Sequence, residues 1–446
     1  MSDRRYLLRT FGCQMNEHDS ERIAGLLTSD GYVATSEASE ASVVVFNTCA
    51  IRENADNRLY GNLGHLRPLK QLNPRMRIVV AGCLAQKDGA RIQDKAPWVD
   101  VVVGTHALPE LLELLRRAET EGPQMDVSEV TEVFPSALPA LREVRHHAWV
   151  SIAVGCDNAC TFCIVPLVRG PQLSRPIGDV LAEVQGLARN GVVEVTLLGQ
   201  NVNTYGRDLT VPGSRRRPLF ADLLRAVNGV EGLRRIRFTS PHPHDFTPDV
   251  IDAMAGSDKV CEHIHFPLQS GSDRILKAMQ RSYRREKYLA WLDAIRDAIP
   301  GIAVSTDVIV GFPGETEEDF VDTLDVVGRG RFDQAYTFQY SPRPGTRAAA
   351  MEDQIPKEVV QHRFDRLVAL QESISLERMR LQIGATAEVL VEGTGRKGGI
   401  QGRTRTNRVV HFEGDHAPGD FVDVAIVAAH PHHLDGEPVR EPAAVA

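Results

Sequence analysis

Three cysteines at positions 156, 160 and 163 fall in the run GCDNACTFCIVP with the spacing C-x-x-x-C-x-x-C. Thiolates ligate iron–sulfur clusters, and a 4Fe-4S cube offers four irons, so three protein ligands leave one iron open to a small molecule. A structural zinc ion would instead complete its tetrahedron with a fourth Cys or His. His146 and His147, ten and nine residues before Cys156, are the nearest such candidates, but the spacing is not a usual zinc pattern. Three inert buried thiols are the remaining alternative, and Gly, Asp, Asn and Thr are unusual company for core cysteines.

A second trio has a different logic. Cys13, Cys49 and Cys83 each close an apolar run, TFGC, FNTC and VAGC, at separations of 36 and 34 residues. Each separation suits one βα unit, so parallel neighbouring strands would deliver all three thiols to one sheet edge. Chance placement of three core cysteines is the alternative. Cys261, in KVCEHIHFP, reads as buried near a strand entrance. His263 and His265 share one face of a strand and read as satisfied or cofactor-facing histidines rather than paired ligands.

The elements that must position these residues follow from hydrophobic periodicity. Residues 5 to 117 alternate short β-branched runs with helical spacing, with helices expected from about Ser20 and about Arg52, which is the pattern of a parallel α/β sheet. The alternation lapses over residues 119 to 147. The domain division expected is 3–120, a linker at 121–141, 142–376, and 377–442. From Trp149 six strand-like runs separated by helical segments predict an incomplete (βα)6 barrel. Residues 356 to 382 predict a long amphipathic helix with Val360, Phe364, Leu367 and Ile374 along one face. The remainder alternates around Gly-rich turns and predicts a small all-β barrel.

Bulk properties narrow the class. Seven cysteines, an odd number, in a long chain do not form a disulfide framework. The amino terminus has no apolar signal segment and no run approaches a membrane span, so a cytoplasmic protein with no membrane partner is expected. A net charge of −8 argues against a uniformly basic nucleic-acid binder, but charge is local. Arg396, Lys397, Arg403, Arg405 and Arg408 occur between Gly393 and Phe412 with no acidic residue, which predicts a phosphate-binding face. Arg215 to Arg217 either extend that track or form a solvated loop.

GCDNACTFCIVPLVRG followed by SRP resembles the core of the radical S-adenosylmethionine enzymes. GCQMNEHDSE, NTCAIRENA and AGCLAQ resemble the amino-terminal domain of the methylthiotransferase family within them, and the carboxyl-terminal barrel resembles their TRAM domain, an RNA-binding module. The resemblance implies two 4Fe-4S clusters, one on Cys13, Cys49 and Cys83 carrying the sulfur to be donated, the other on Cys156, Cys160 and Cys163 binding S-adenosylmethionine at its open iron. It implies cofactor-lining roles for Gly199, Gln200, Gln269 and Gly311, with the neighbouring Asn201 and Ser270. Methionine and a 5′-deoxyadenosyl radical would form there, and the radical would take hydrogen from C2 of an adenine. GCQMN and NTCAIRENA resemble most the branch that thiomethylates N6-isopentenyladenosine 3′ of the tRNA anticodon. The branches acting on a ribosomal-protein aspartate or on threonylcarbamoyladenosine, and a non-catalytic RNA-binding protein with structural cysteines, are the alternatives. The implied partners are a tRNA anticodon stem-loop, an electron donor and a sulfur source. Gln172 stands where the family usually has Glu, which puts any carboxylate role there in doubt.

Overall fold

The structure is a computed structural model that describes residues 4–50, 53–128, 138–142, 144–209, 217–395 and 398–439. Its first body is a six-stranded sheet in the spatial order Val33–Ala34, Arg5–Phe11, Val43–Thr48, Arg77–Gly82, Val101–Val103, Gln124–Asp126, with every pair parallel. Its central strands are near-continuous Val/Ile runs, as a sheet covered on both faces requires. Because successive side chains alternate, Val43, Val45 and Val79 join one core with Ile23 and Leu27, while Val44, Phe46 and Val80 join the opposite core with Leu59 and Leu63.

Two expectations for this body are corrected. The first helix spans Gln14–Ser29 and starts directly after Cys13, well before Ser20, because Cys13 itself takes the extended cap position. The segment expected as a linker, 121–141, is partly built into the domain. Gln124–Asp126 adds the sixth strand, and the Leu141 amide donates to the Glu21 carbonyl at 2.9 Å. The strand is three residues long, too short for a period to declare itself. The second helix is described over Glu53–Leu72, and the expected start at about Arg52 lies outside the described residues.

The second body is the incomplete barrel. Six parallel strands follow chain order: His147–Ser151, Glu194–Leu198 and Arg235–Phe238 in one sheet, His263–His265, Ala303–Val310 and Gln334–Gln339 in another. An isolated parallel bridge between Ile236 and Val260 joins the two groups into one arc. Cys261 is buried, as expected. The helix Lys357–Arg380 serves two cores at once. Val360, Leu367 and Ile374 pack into the barrel, and Met379 packs into the third body. That third body is a closed five-stranded barrel around Val389, Val391, Val410, Val424 and Ile426.

The seams between bodies are ionic and buried. Glu183 accepts from Arg22 of the first body at 2.9 Å and from Arg175 at 2.6 Å, and Arg22 is only 1% exposed. Arg235 donates to the Arg403 carbonyl at 2.8 Å, and Arg237 donates to the Thr404 and Arg405 carbonyls at 2.9 and 3.0 Å. Three of the five cations of the expected phosphate-binding face are ion-paired within the fold. Arg405 holds Glu262 through two hydrogen bonds of 2.7 and 2.8 Å, Arg408 holds Asp333 at 2.6 Å, and Arg403 holds Glu392 at 2.7 Å. Two of the three carboxylates come from the second body, far away in sequence, so Arg405 and Arg408 are paired across the seam. Arg217 is paired with Asp222 at 2.6 Å. Arg215, Arg216, Arg396 and Lys397 lie outside the described residues. Among the described residues no helix is long and apolar enough to cross a membrane.

Candidate active site

The strand register delivers the first cysteine trio. Phe11 pairs with Thr48 and Thr48 with Gly82, so the three strands end level and the residues that follow them start from one edge. Buried amides lock the edge: Asn16 Nδ2 donates to Asn47 Oδ1 at 3.1 Å and to the Thr48 carbonyl at 3.3 Å, and Asn47 Nδ2 donates to the Asn16 carbonyl at 2.7 Å. Gly82 is needed for this closeness. Its φ is +90°, and a Cβ there would lie 2.3 Å from Asn47 Oδ1 and 2.7 Å from the Thr48 carbonyl oxygen. A hydrogen bond from Cys49 holds the Cys13 thiol down at about 6, while burial pushes Cys83 up.

The second trio sits in the loop after the short strand Ala153–Val154. Gly155, at φ +76°, lets the chain turn where a Cβ would come within 1.9 Å of the Pro171 carbonyl oxygen. The Cys156 amide donates to the Gly170 carbonyl at 3.1 Å and the Cys163 amide to the Cys160 carbonyl at 3.1 Å. Arg281 donates to Cys160 Sγ at 3.5 Å. Burial raises Cys156 and pushes Cys163 up to about 12. Thiols in such surroundings become thiolates when a cationic metal body takes their protons' place.

The first trio and Cys163 of the second open on one cavity of about 1200 Å³, above the roughly 300–1,000 Å³ of ordinary small-molecule sites. Cys13, Cys49 and Cys83 line it, as do Cys163, Gly199, Gln200 and Gln269. The Gln200 side-chain oxygen is buried with no hydrogen-bonding partner in the fold. Gly311 is not among the lining residues. A Cβ there would press within 2.4 Å of Val360 Cγ2, so helix packing accounts for that glycine. Asn201 Nδ2 donates to Asp245 at 2.8 Å while its side-chain oxygen has no partner among the described residues, and the Ser270 hydroxyl lies 3.4 Å from that of Thr323.

His263 and His265 face the cavity and share Ser305 Oγ at 3.1 and 3.0 Å, and His265 also reaches Asp307 at 3.2 Å. They are satisfied, as the sequence suggested. His147 is held by Thr196 at 3.0 Å and burial pushes it down to about 4. The Gln172 side chain accepts from the Thr204 hydroxyl, and its backbone amide donates to Asp157 Oδ1 at 2.9 Å. Among the described residues, the one grouping of three metal-ligating side chains with donor atoms within 4.8 Å of one another is His430, His433 and Asp435. Neither cysteine trio has all three of its sulfurs within that distance of one another.

Two residues of this site were not singled out from sequence. Arg169 and Arg281 place guanidinium groups beside the first and second trios. Arg169 stands within the quoted VPLVRG, six residues after Cys163, but no spacing rule marks it. Arg281 comes from a segment with no motif.

The family model described as "Uncharacterized protein family UPF0004" matches residues 5–104, "Radical SAM superfamily" matches 150–327, and "TRAM domain" matches 380–439. A relative from Mycobacteroides abscessus named tRNA-2-methylthio-N(6)-dimethylallyladenosine synthase is 57% identical over 97% of this chain and 88% of its own length. A relative of the same name from Nocardia farcinica is 58% identical over 97% of this chain and 88% of its own. Among solved structures, the radical S-adenosylmethionine methyltransferase TsrM from Kitasatospora setae superposes with a TM-score of 0.56 at 16% identity, covering 78% of this chain and 77% of that one, a likeness of fold. With three matching domains in order and near-full-length relatives of one name, the chain belongs to the tRNA-2-methylthio-N(6)-dimethylallyladenosine synthase family of radical SAM proteins.

Proposed function

We propose that this chain is a radical SAM methylthiotransferase that converts N6-isopentenyladenosine, 3′ of the tRNA anticodon, to its 2-methylthio derivative. The observation that carries the reading is the shared cavity, which Cys13, Cys49, Cys83 and Cys163 all line. Sulfur delivery and hydrogen abstraction must act on one carbon, and a common chamber is what that demands.

Cys13, Cys49 and Cys83 would hold one 4Fe-4S cluster, and Cys156, Cys160 and Cys163 the other. When bound, the two clusters with S-adenosylmethionine supply the methylated sulfur and the one-electron chemistry that opens an unactivated C–H bond, which no side-chain acid or base can do. Gly199, Gln200 and Gln269 are the residues proposed at S-adenosylmethionine, Gln200 through its unpartnered oxygen. The neutral His147 and the paired Glu194 and Arg237, 3.0 Å apart, line the chamber. An anticodon-loop base is single-stranded and can be splayed into such a chamber. The reading also implies a cytoplasmic setting, an electron donor and a sulfur source.

The test is nucleoside mass analysis of tRNA from cells with and without this chain, paired with purified protein offered hypomodified tRNA or ribosomal protein. Loss of the 2-methylthio nucleoside and transfer to tRNA are expected. Transfer only to the protein acceptor would overturn the substrate assignment.

A further inference from the structure

Arg169 ends the helix Val165–Arg169, six residues after Cys163, yet its side chain leaves the second body. It is 5% exposed and donates to Asp19 Oδ2 at 2.7 Å, and Asp19 is 2% exposed on the helix that Cys13 caps. The same guanidinium lines the cavity with Cys13 and Cys83 and acts electrostatically on both. The preceding turn is docked as firmly. Val168 packs with Cys83 and Ala50, and Thr105 Oγ1 donates to the Val168 carbonyl at 2.7 Å. The first trio thus receives its cation from the loop of the second trio.

The surrounding charges make that cation consequential. His18, beside Asp19 at 3.6 Å, is held neutral by burial, and Arg22 is engaged by Glu183 at 2.9 Å. Glu21 lies 3.5 Å from Arg142 on the outer side of the helix. Cys13, Cys83 and Asp19 therefore face Arg169 in a setting where water screens little. A buried positive charge beside a ligating sulfur stabilises the more electron-rich state of an iron–sulfur centre.

The geometry points to Arg169 as the positioning residue of the amino-terminal sulfur site: it fixes the Cys13 and Cys83 edge against the second body and raises the reduction potential of what those thiolates hold. The inference rests on the proposed cluster assignment. The two can be told apart, because a chain with Cys156, Cys160 and Cys163 all changed to Ala should still show a cluster signal before Arg169 is touched. Absence of that signal defeats the assignment, not the role of Arg169.

In that background, anaerobically reconstituted full-length protein would be titrated by EPR. Arg169→Gln should shift the midpoint potential to more negative values, Arg169→Lys should shift it less, and Asp19→Asn should shift it to more positive values. The second cluster, read in the complementary Cys13, Cys49, Cys83 to Ala background, should keep its potential in Arg169→Gln and lose it in Arg281→Gln. Equal iron loss in Arg169→Gln, Arg169→Lys and Asp19→Asn would mean a structural ion pair only and would overturn the inference. So would an unchanged potential in a fully loaded Arg169→Gln, or shifts of one sign in Arg169→Gln and Asp19→Asn. Iron loss in Arg169→Gln that Arg169→Lys restores would support it.

Discussion

Arg408 on the carboxyl-terminal barrel and Asp333 on the incomplete barrel meet at 2.6 Å, at 4% and 6% exposure. The same carboxylate accepts the Val304 amide at 2.9 Å and Arg378 of the long helix at 3.2 Å, so one side chain gathers all three elements of that seam. Arg408→Ala should cost about 3–5 kcal/mol, because it leaves a buried charge short of its partner. Arg405→Ala, at a more exposed pair, should cost about 1 kcal/mol or less. Urea unfolding of the two variants checks the order.

The same seam predicts an RNA-binding result. Arg405 is held by Glu262, so removing it should leave the salt dependence of tRNA binding unchanged. A fall of about 0.9 in the slope of log affinity against log salt would show that Arg405 leaves Glu262 for a phosphate.

Cys163→Ala should abolish formation of 5′-deoxyadenosine, whereas Cys49→Ala should leave it and stop thiomethylation. Chromatographic product analysis of iron-reconstituted variants separates the two. Cleavage by the Cys163 variant at the parent rate would remove the central assignment.

Gly82→Ala places a Cβ 2.3 Å from Asn47 Oδ1 at a φ of +90°. The strain should cost about 1–3 kcal/mol and lower iron retention at the first trio. Gly61, inside the helix Glu53–Leu72 with open space around it, is the control. Gly61→Ala should be neutral or stabilising by about 1 kcal/mol. Thermal unfolding and iron assay read both.

His242 gives a pH signature. Burial pushes it down to about 2, and its Nδ1 accepts the His244 amide at 3.2 Å. The unfolded imidazole takes a proton near pH 6.5, which the folded one refuses, so the stabilisation is complete above about pH 6.5 and falls by at most ~1.4 kcal/mol per pH unit below it. His242→Gln should flatten the acid limb of an unfolding-midpoint profile between about pH 6 and pH 4.

The sequence made the sheets and both trios legible, because β-branched runs and strand-end cysteines are local signals. Register then turned three distant thiols into one edge, as βα arithmetic suggested. What it hid was pairing across long separations. Arg403, Arg405 and Arg408 read as free charge, yet Glu262 and Asp333 arrive from more than seventy residues away. The start of the first helix was masked because a cysteine, not a serine or aspartate, holds the cap. Gly311 looked like a cofactor glycine, and the helix that crowds it is remote in sequence.

Glu183, gripped by Arg22 on one side and Arg175 on the other, makes the first two bodies a single cooperative object. Parting the two bodies would strand a fully interior guanidinium on newly wetted surface and leave Glu183 with Arg175 as its cation.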